Sequence, residues 1–398
     1  MKSVDRHLAD ILDTVRPLEP RELELERLLG TVLAEDVTAP VPLPPFDNAA
    51  LDGYAVRAAD VAKATESDPV TLPVVSDVAA GDGERYAVGP GTAVRIMTGA
   101  PVPAGADAVV PVEWTDGGAY RVTIRRAAPE GNAIRRAGED VAKGDTVLAA
   151  GTTLGPAQLG ILAGVGRARA LVRPRPRVVV LSTGAELVAP GAPLGPGRIW
   201  DANGFVLTAA ARLAWAEARR ATTVGDDPEA FLAALREQLS QADVVVTSGG
   251  VSMGAYEPVK EALAPLGTVR FERVAMRPGM PQGFGVVGER RVPIFALPGN
   301  PVSAFVSFVL FVEPALRVLR GLPAGPPETR TAVTRAPLRS PEGKRSYLRG
   351  VLTGDEVVPV RGQGSHQLAG LAAANALIVV PEETTEVPEG ATVEVIPL

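Results

Sequence analysis

The sequence predicts a multidomain protein in which a parallel α/β domain stands between two regions of short strands. Three observations predict it. Over residues 177–320 buried strands alternate with helical patterns, as a parallel sheet requires. From roughly residue 60 to 140, and again after Pro327, short β-branched runs are broken by Gly and Pro turns. The chain has 398 residues and is 46% apolar, enough for more than one core.

In chain order, Ser3 is placed to cap a first helix with Leu8, Ile11, Leu12 and Val15 on one face, ended by Pro17 and Pro20. Residues 21–33 carry a second helical pattern. Residues 41–45 must be extended, because proline cannot continue a helix and restrains its predecessor. They lead into a loop, 46–57, that holds Asp47 and Asp52. Residues 70–78, 92–97, 106–112 and 120–126 are the strands of the first β region. Residues 153–165 are helical, and Arg173-Pro174-Arg175-Pro176 reads as a linker.

The α/β part opens with a buried strand over 177–181. A helix follows Asp201-Ala202-Asn203, and another has Asp227 as N-cap with Pro228 at its first position. The strand beginning at Val244, a helix opening at Glu257-Pro258 and a strand over 268–274 come next, then two more strands. The helix after Pro301 is apolar on all sides through Val312, so it is expected to be buried. Residues 332–338, 345–352, 357–360, 376–380 and 391–396 are the strands of the last region.

The chemistry gathers at two loops. Residues 243–254 run from a short buried strand into small residues. Gly249, Gly250 and Gly254 leave backbone N–H groups uncovered, Ser248 and Ser252 add hydroxyls, and a helix N-terminus follows. Such a set favours an anion. A second loop of the same kind, Leu297-Pro298-Gly299-Asn300-Pro301-Val302-Ser303, follows the strand over 292–297. One glycine-rich turn is ordinary chain punctuation. Two, each between strand and helix, point to one pocket for a phosphate or oxyanion at the strands' carboxyl ends. Asp52 and Asp140 have the chemistry to ligate a hard cation, and Arg135 and Arg136 to pair with phosphate. Each has an ordinary alternative as a turn or surface charge.

Composition narrows the class further. There is no cysteine, which excludes disulfides, thiolate catalysis and Cys-ligated zinc or iron–sulfur sites. His7 and His366 are the only histidines, which argues against a Ser-His-Asp triad or a His-based zinc site. The net charge of −6, from 40 basic and 46 acidic residues, carries no basic excess for nucleic acid or an anionic membrane. The N-terminus lacks an apolar signal core, and the longest apolar run, 304–312, is closed by Glu313-Pro314 and too short to span a bilayer. A cytoplasmic protein is expected.

A series of motifs occurs in order: Phe46-Asp47-Asn48, Leu51-Asp52-Gly53-Tyr54-Ala55, Met97-Thr98-Gly99-Ala100-Pro101, Arg135-Arg136 with Gly138-Glu139-Asp140, Ser182-Thr183-Gly184 with Glu186, Ser248-Gly249-Gly250-Val251-Ser252, and Leu297-Pro298-Gly299-Asn300-Pro301. The series resembles molybdopterin molybdenumtransferase, the MoeA and gephyrin E-domain family, over nearly the whole chain. The resemblance implies four regions. Residues 1–27 with 44–56 and 141–173 would form a discontinuous helical linker region, and 28–43 with 57–140 a small β domain. Residues 174–322 would form the α/β molybdopterin-binding domain, and 323–398 a C-terminal β-barrel-like domain. It also implies an elongated homodimer with its active site between protomers. The implied reaction inserts molybdate into the dithiolene of adenylylated molybdopterin and hydrolyses the adenylate to AMP, with a divalent cation, usually Mg2+.

Carried over by motif position, the resemblance implies that Asp52, Asp140, Glu186, Asp226 and Glu257 are the catalytic acids. Asp52, Glu186, Asp226 and Glu257 would hold the metal, and Thr98 would position a water or phosphate oxygen. Arg135, Ser248, Gly249, Gly250, Ser252, Pro298, Gly299, Asn300 and Pro301 are implied substrate contacts, and Arg277, Ser303, Arg349 and Ser365 the oxyanion set. Contacts with molybdopterin adenylyltransferase and with molybdoenzyme maturation factors are implied as well. Two departures stand out. Many members have Lys-Pro-Gly-Lys where this chain has Arg277-Pro278-Gly279-Met280, and many have aspartate where Glu257 stands. The alternatives are molybdopterin adenylyltransferase, which uses a related α/β domain, and a gephyrin-like scaffold or cofactor carrier without turnover.

Overall fold

The computed structural model describes residues 1–81, 84–221, 225–251 and 257–398. The chain forms two compact units, one of Met1–Arg21, Gly30–Ala34 and Leu171–Leu398, the other of Glu22–Leu29 and Glu35–Ala170.

The first unit begins with α1 (Val4–Thr14), where the Ser3 hydroxyl accepts from the Arg6 N–H at 3.2 Å. Its α/β part comprises β1 (Arg177–Ser182), α2 (Asn203–Leu213), β2 (Glu217–Arg220), α3 (Pro228–Leu239), β3 (Val244–Ser248), α4 (Pro258–Leu263), β4 (Val269–Arg273), β5 (Pro281–Val287), β6 (Val292–Leu297) and α5 (Pro301–Ser307). The strands form one sheet in the order β2-β1-β3-β6-β5-β4. The valine runs explain the central strands. Val178, Val180, Val244 and Val246 point into one core with Leu207 and Ala211 of α2, whereas Val179, Leu181 and Val245 point into another with Phe231, Leu235 and Val259. A strand buried on both faces must be apolar at every position. Each such side chain contributes about 1.5–3 kcal/mol of burial.

One expectation for this part is corrected. The sheet is parallel only over β2, β1, β3 and β6; β5 runs antiparallel to both β6 and β4. The cause is the short turn from Gly288 to Arg291, both with left-handed φ (70° and 52°). A parallel crossover needs about a dozen residues or more. The helix after Pro301 is buried, as expected, and continues past Glu313-Pro314. It passes through a π-helical turn, Phe308–Val312, into Glu313–Leu319. The wider turn accommodates the proline ring and its missing N–H. The resulting helix, Pro301–Leu319, is long and apolar enough to cross a membrane, but 83% of it is buried inside the protein, so it is a core helix.

The C-terminal part is a closed barrel of Arg330–Thr334, Arg345–Thr353, Glu356–Pro359, Ala376–Val380 and Thr392–Pro397, completed by pairing of Arg345–Thr353 with Ala376–Val380. Leu348, Val357, Ile378, Val380 and Val395 fill it.

The second unit is built on a five-stranded sheet in the order Ala108–Pro111, Gly53–Val56, Ala93–Ile96, Val70–Val78, Arg121–Ile124. Gly53–Val56 was expected as loop, and within the four-region division it belongs to the linker, yet it pairs on both sides within this sheet. Gly53 permits that pairing, since a Cβ there would lie 2.0 Å from the Val110 carbonyl oxygen. The helix expected over residues 21–33 is absent. A strand, Arg21–Glu24, and a 3-10 turn, Leu25–Arg27, stand there instead, and the Leu25 N–H donates to the Ala168 carbonyl at 2.9 Å. That tertiary bond replaces a helical one. The expected helix near Pro156 is present as Pro156–Gly164.

Candidate functional site

A cavity of about 810 Å³ opens in the first unit at the carboxyl ends of β1, β3 and β6. The sheet register sets Ser182 beside Ser248, and Ser248 beside Leu297, so the loops leaving these strands start side by side. The small residues let them approach. A Cβ on Gly249 (φ 98°) would sit 2.5 Å from the Thr183 carbonyl oxygen, and one on Gly250 (φ 68°) 2.8 Å from a Val259 methyl. Thr183 donates both its N–H (3.0 Å) and its hydroxyl (3.2 Å) to the Ser248 carbonyl. The Gly249 N–H is spent on the Leu297 carbonyl at 3.1 Å, so this glycine closes the loop pair rather than offering an amide.

Ser248 is likewise a pin. The Asn203 amide donates to the Ser248 hydroxyl and to the Gly299 carbonyl, each at 2.7 Å, and the hydroxyl reaches the Pro298 carbonyl at 3.4 Å. Asn203 thus ties two loops together. Sequence reasoning passed over it as a helix boundary, although a polar residue opening a helix beside a cavity was the available signal. Ser252 lies outside the described residues.

The acids come to the same place. Glu186 folds back over Gly184, where a Cβ would stand 2.6 Å from its carboxylate. Asp226 accepts from the Ala185 N–H at 3.2 Å. Two carboxylates therefore bracket Gly184-Ala185, and both line the cavity. Glu257 joins them from the N-terminus of α4, buried. A fourth carboxylate, Asp201, was not foreseen. It accepts from the Gly204 N–H at 2.8 Å, lies 3.5 Å from the Arg220 guanidinium and also lines the cavity. Among the described residues the lining includes no lysine or arginine, and His366 is its only base. No group of three or more acids or histidines forms a ready metal cage among the described residues. Magnesium needs only one or two protein carboxylates beside phosphate oxygens and waters. The Glu186–Asp226 pair fits that requirement.

The oxyanion set is only partly assembled. Ser303 lines the cavity, and the Asn300 amide donates to the Ser365 hydroxyl at 3.0 Å. The Val302 N–H donates to the Ser365 carbonyl, also at 3.0 Å, which docks the 362–367 loop on the start of α5. Arg349 departs from the expectation. It is 1% exposed, and its guanidinium donates to the carbonyls of Gln367 (2.6 Å), Gly362 (2.7 Å) and Gly364 (3.1 Å). Among the described residues Arg349 has no carboxylate partner, and a buried arginine must then find carbonyl acceptors; these bonds hold the loop that carries Ser365. Arg345, the other arginine of this strand, is forked on Asp5 (2.7 and 2.9 Å) and paired with Glu382. Arg277 is exposed on a two-residue strand beside Arg345-Ser346 and does not line the cavity; Gly279 does. The Met280 sulfur accepts from Arg273 at 3.6 Å.

The second unit carries Asp52, Thr98, Arg135 and Asp140. Thr98 donates both its N–H and its hydroxyl to one oxygen of Asp52, each at 2.7 Å. These bonds, the backbone one foremost, hold the Asp52 carboxyl below its ordinary range. Asp140 lies on an exposed turn, its N–H donated to the Leu43 carbonyl. Arg135 is exposed opposite Asn48. Arg136 is committed to Asp47 at 2.7 Å, while Asp47 also accepts from the Ala137 N–H at 2.8 Å.

An α/β sheet with pinned loops and acids at its strand ends, with a barrel in the same unit, places a ligand-sized cavity at the carboxyl ends of the strands. The family models agree: residues 2–166 match the MoeA N-terminal region (domain I and II), 179–318 a probable molybdopterin binding domain, and 331–398 the MoeA C-terminal region (domain IV). The chain belongs to the MoeA family of molybdopterin molybdenumtransferases. It is 48% identical to molybdopterin molybdenumtransferase 2 of Mycobacterium tuberculosis over 403 residues, 99% of each chain. It is 35% identical to the molybdopterin molybdenumtransferase of Haemophilus influenzae over 408 residues, 100% of this chain and 98% of that one. A crystal structure of a molybdopterin biosynthesis MoeA protein from Pyrococcus horikoshii, 34% identical, matches with a TM-score of 0.79 over 99% of this chain and 98% of that chain.

Proposed function

We propose that this protein completes the molybdenum cofactor: it takes adenylylated molybdopterin and molybdate, places molybdenum on the dithiolene and releases AMP. The observation that carries this reading is the Glu186–Asp226 pair around Gly184-Ala185, in a cavity of about 810 Å³ at the strand ends. That volume lies within the usual range for cofactor sites. Family membership over the full length supports it against molybdopterin adenylyltransferase, since the 48% identical relative is covered over 99% of its length.

The chain's own residues have distinct tasks. Asn203, Ser248 and the glycines fix the loops. Ser303 and Ser365 offer hydroxyls to an oxyanion, with Arg349 holding the Ser365 loop. Glu186 and Asp226, with Glu257 beside them, would hold magnesium. The ion would neutralise phosphate charge and polarise a phosphoryl oxygen. Asp52 orients the Thr98 hydroxyl. Our reading includes the homodimer, in which Asp52 and Thr98 of one chain complete the cavity of the other, and the four-region division of the chain. It also includes a cytoplasmic setting with hand-over from the adenylyltransferase and on to maturation factors.

The test is incubation of the protein with adenylylated molybdopterin, magnesium and molybdate. AMP release that depends on molybdate, with molybdenum recovered on the pterin, is expected. AMP release without molybdenum on the pterin excludes insertion. Adenylylation of molybdopterin by ATP alone marks the adenylyltransferase, and binding without turnover marks the carrier.

A further inference from the structure

A second cavity lies at the opposite end of the sheet. Its volume is about 640 Å³, and Arg175, Arg177, Arg212, Arg219, Trp215 and Gln241 line it together with Glu217. Arg177 and Glu217 begin β1 and β2, so this is the amino end of the strands. The acidic cavity lies at their carboxyl ends.

The arginines are not all spent. Arg177 is forked on Asp243 (2.7 and 2.9 Å), and Arg175 pairs with Glu217 at 3.0 Å. Arg212 uses only its Nε, on the Ala218 carbonyl at 3.0 Å, and Arg219 only one terminal nitrogen, on the Gln238 side chain. Neither faces a carboxylate partner among the described residues. Two guanidiniums therefore bring open N–H groups to the cavity lining, in the planar geometry that suits phosphate.

Trp215 supplies the second observation. It follows α2 with φ 63°, in a C-terminal cap where its N–H donates to the Arg212 carbonyl and the Ala216 N–H to the Ala211 carbonyl. Glycine is the ordinary residue at this left-handed position, and another costs about 1 kcal/mol. The indole packs against Gly30, where a Cβ would be 2.1 Å from the ring. It remains 40% exposed and lines the cavity. Packing on Gly30 covers part of the ring, and the exposed part is an aromatic surface lining the same cavity as Arg212 and Arg219.

We propose that this cavity is a second ligand site, separate from the acidic one, and that it takes a mononucleotide, with the base on Trp215 and the phosphate on Arg212 and Arg219. The probes are GMP and inorganic phosphate, followed by quenching of tryptophan fluorescence and by calorimetry. The protein should bind GMP with saturable quenching. Quenching should vanish in Trp215→Phe while calorimetry still reports binding. Arg212→Ala with Arg219→Ala should weaken GMP by roughly tenfold to a hundredfold, the scale of losing charge-assisted hydrogen bonds. Gln241→Glu, on the exposed rim, removes no protein contact and should also weaken it by adding a negative charge. GMP affinity unchanged in both the arginine variant and Gln241→Glu overturns the site. Inorganic phosphate binding as tightly as GMP overturns the aromatic half of the proposal.

Discussion

Single residues here are best understood through what competes for their hydrogen bonds. Ser248 and Arg349 stand where a ligand-binding motif would put donors, yet both are committed inside the protein. Sequence gives the residue type and the motif, not the partner that arrives from more than ten positions away. It therefore revealed Glu186, Asp226 and Ser303 as cavity residues but neither the duty of Arg349 nor the presence of Asp201 and Asn203. Replacing Arg349 with alanine removes the donors from the carbonyls of Gly362, Gly364 and Gln367. Urea unfolding should show a loss of about 1–3 kcal/mol, the range for leaving hydrogen-bonding groups without their partner, and Arg349→Lys should recover only part of it because it lacks the fork. A loss below about 1 kcal/mol would return Arg349 to the list of ligand contacts. Gly184→Ala bears on the cavity itself. Its Cβ would push the Glu186 carboxylate away at 2.6 Å, so AMP release should fall by at least roughly tenfold, the effect of a misplaced catalytic group. Gly184 also has φ 150°, which an L side chain rarely adopts, so urea unfolding should show a loss of about 1–3 kcal/mol as well.

At the scale of elements, strands buried on both faces and capped helices were legible because pattern and propensity agree there. Val244–Ser248 and Pro228–Leu239 are examples. The errors fall where tertiary bonds overrule a weak local pattern. Residues 21–24 pair as a strand, Gly53–Val56 is too short and glycine-led to announce itself, and β5 is turned round by the bend at Gly288. α1 allows an element-level prediction. His7 is 3% exposed, sits edge-on to Phe311 at 4.8 Å and lies 3.3 Å from the Glu272 carboxylate, beside Lys2 and Asp10. Burial foremost, with the Lys2 ammonium, pushes its pKa down to about 4. The unfolded chain binds the proton near pH 6.5 and the folded chain refuses it until about 4. Stability should therefore fall as pH drops through that window, by about 3 kcal/mol in all. Urea unfolding between pH 7.5 and 4.5 should show a flatter dependence in His7→Gln than in the parent. Equal slopes would mean that His7 titrates normally in the folded chain.

For the whole molecule, the proposed site residues divide between the two units, with Asp52 and Thr98 in one and Glu186, Asp226 and Glu257 in the other. In the proposed homodimer one chain's Asp52 serves its partner's cavity. Mixing Asp52→Asn chains with Glu186→Gln chains, each inactive alone, should then restore part of the activity through one intact composite site. No recovery after verified subunit exchange would confine the site to a single chain. The central claim is that the acids around Gly184-Ala185 serve molybdenum insertion. It is tested most directly by comparing parent and Glu186→Gln in single-turnover release of AMP from adenylylated molybdopterin, with molybdate and magnesium present. Glutamine keeps the shape and removes the charge. The account predicts molybdate-dependent release in the parent and a rate at least roughly a hundredfold lower in the variant, the scale of one strong electrostatic contact in a site. Equal rates in the two proteins would contradict it.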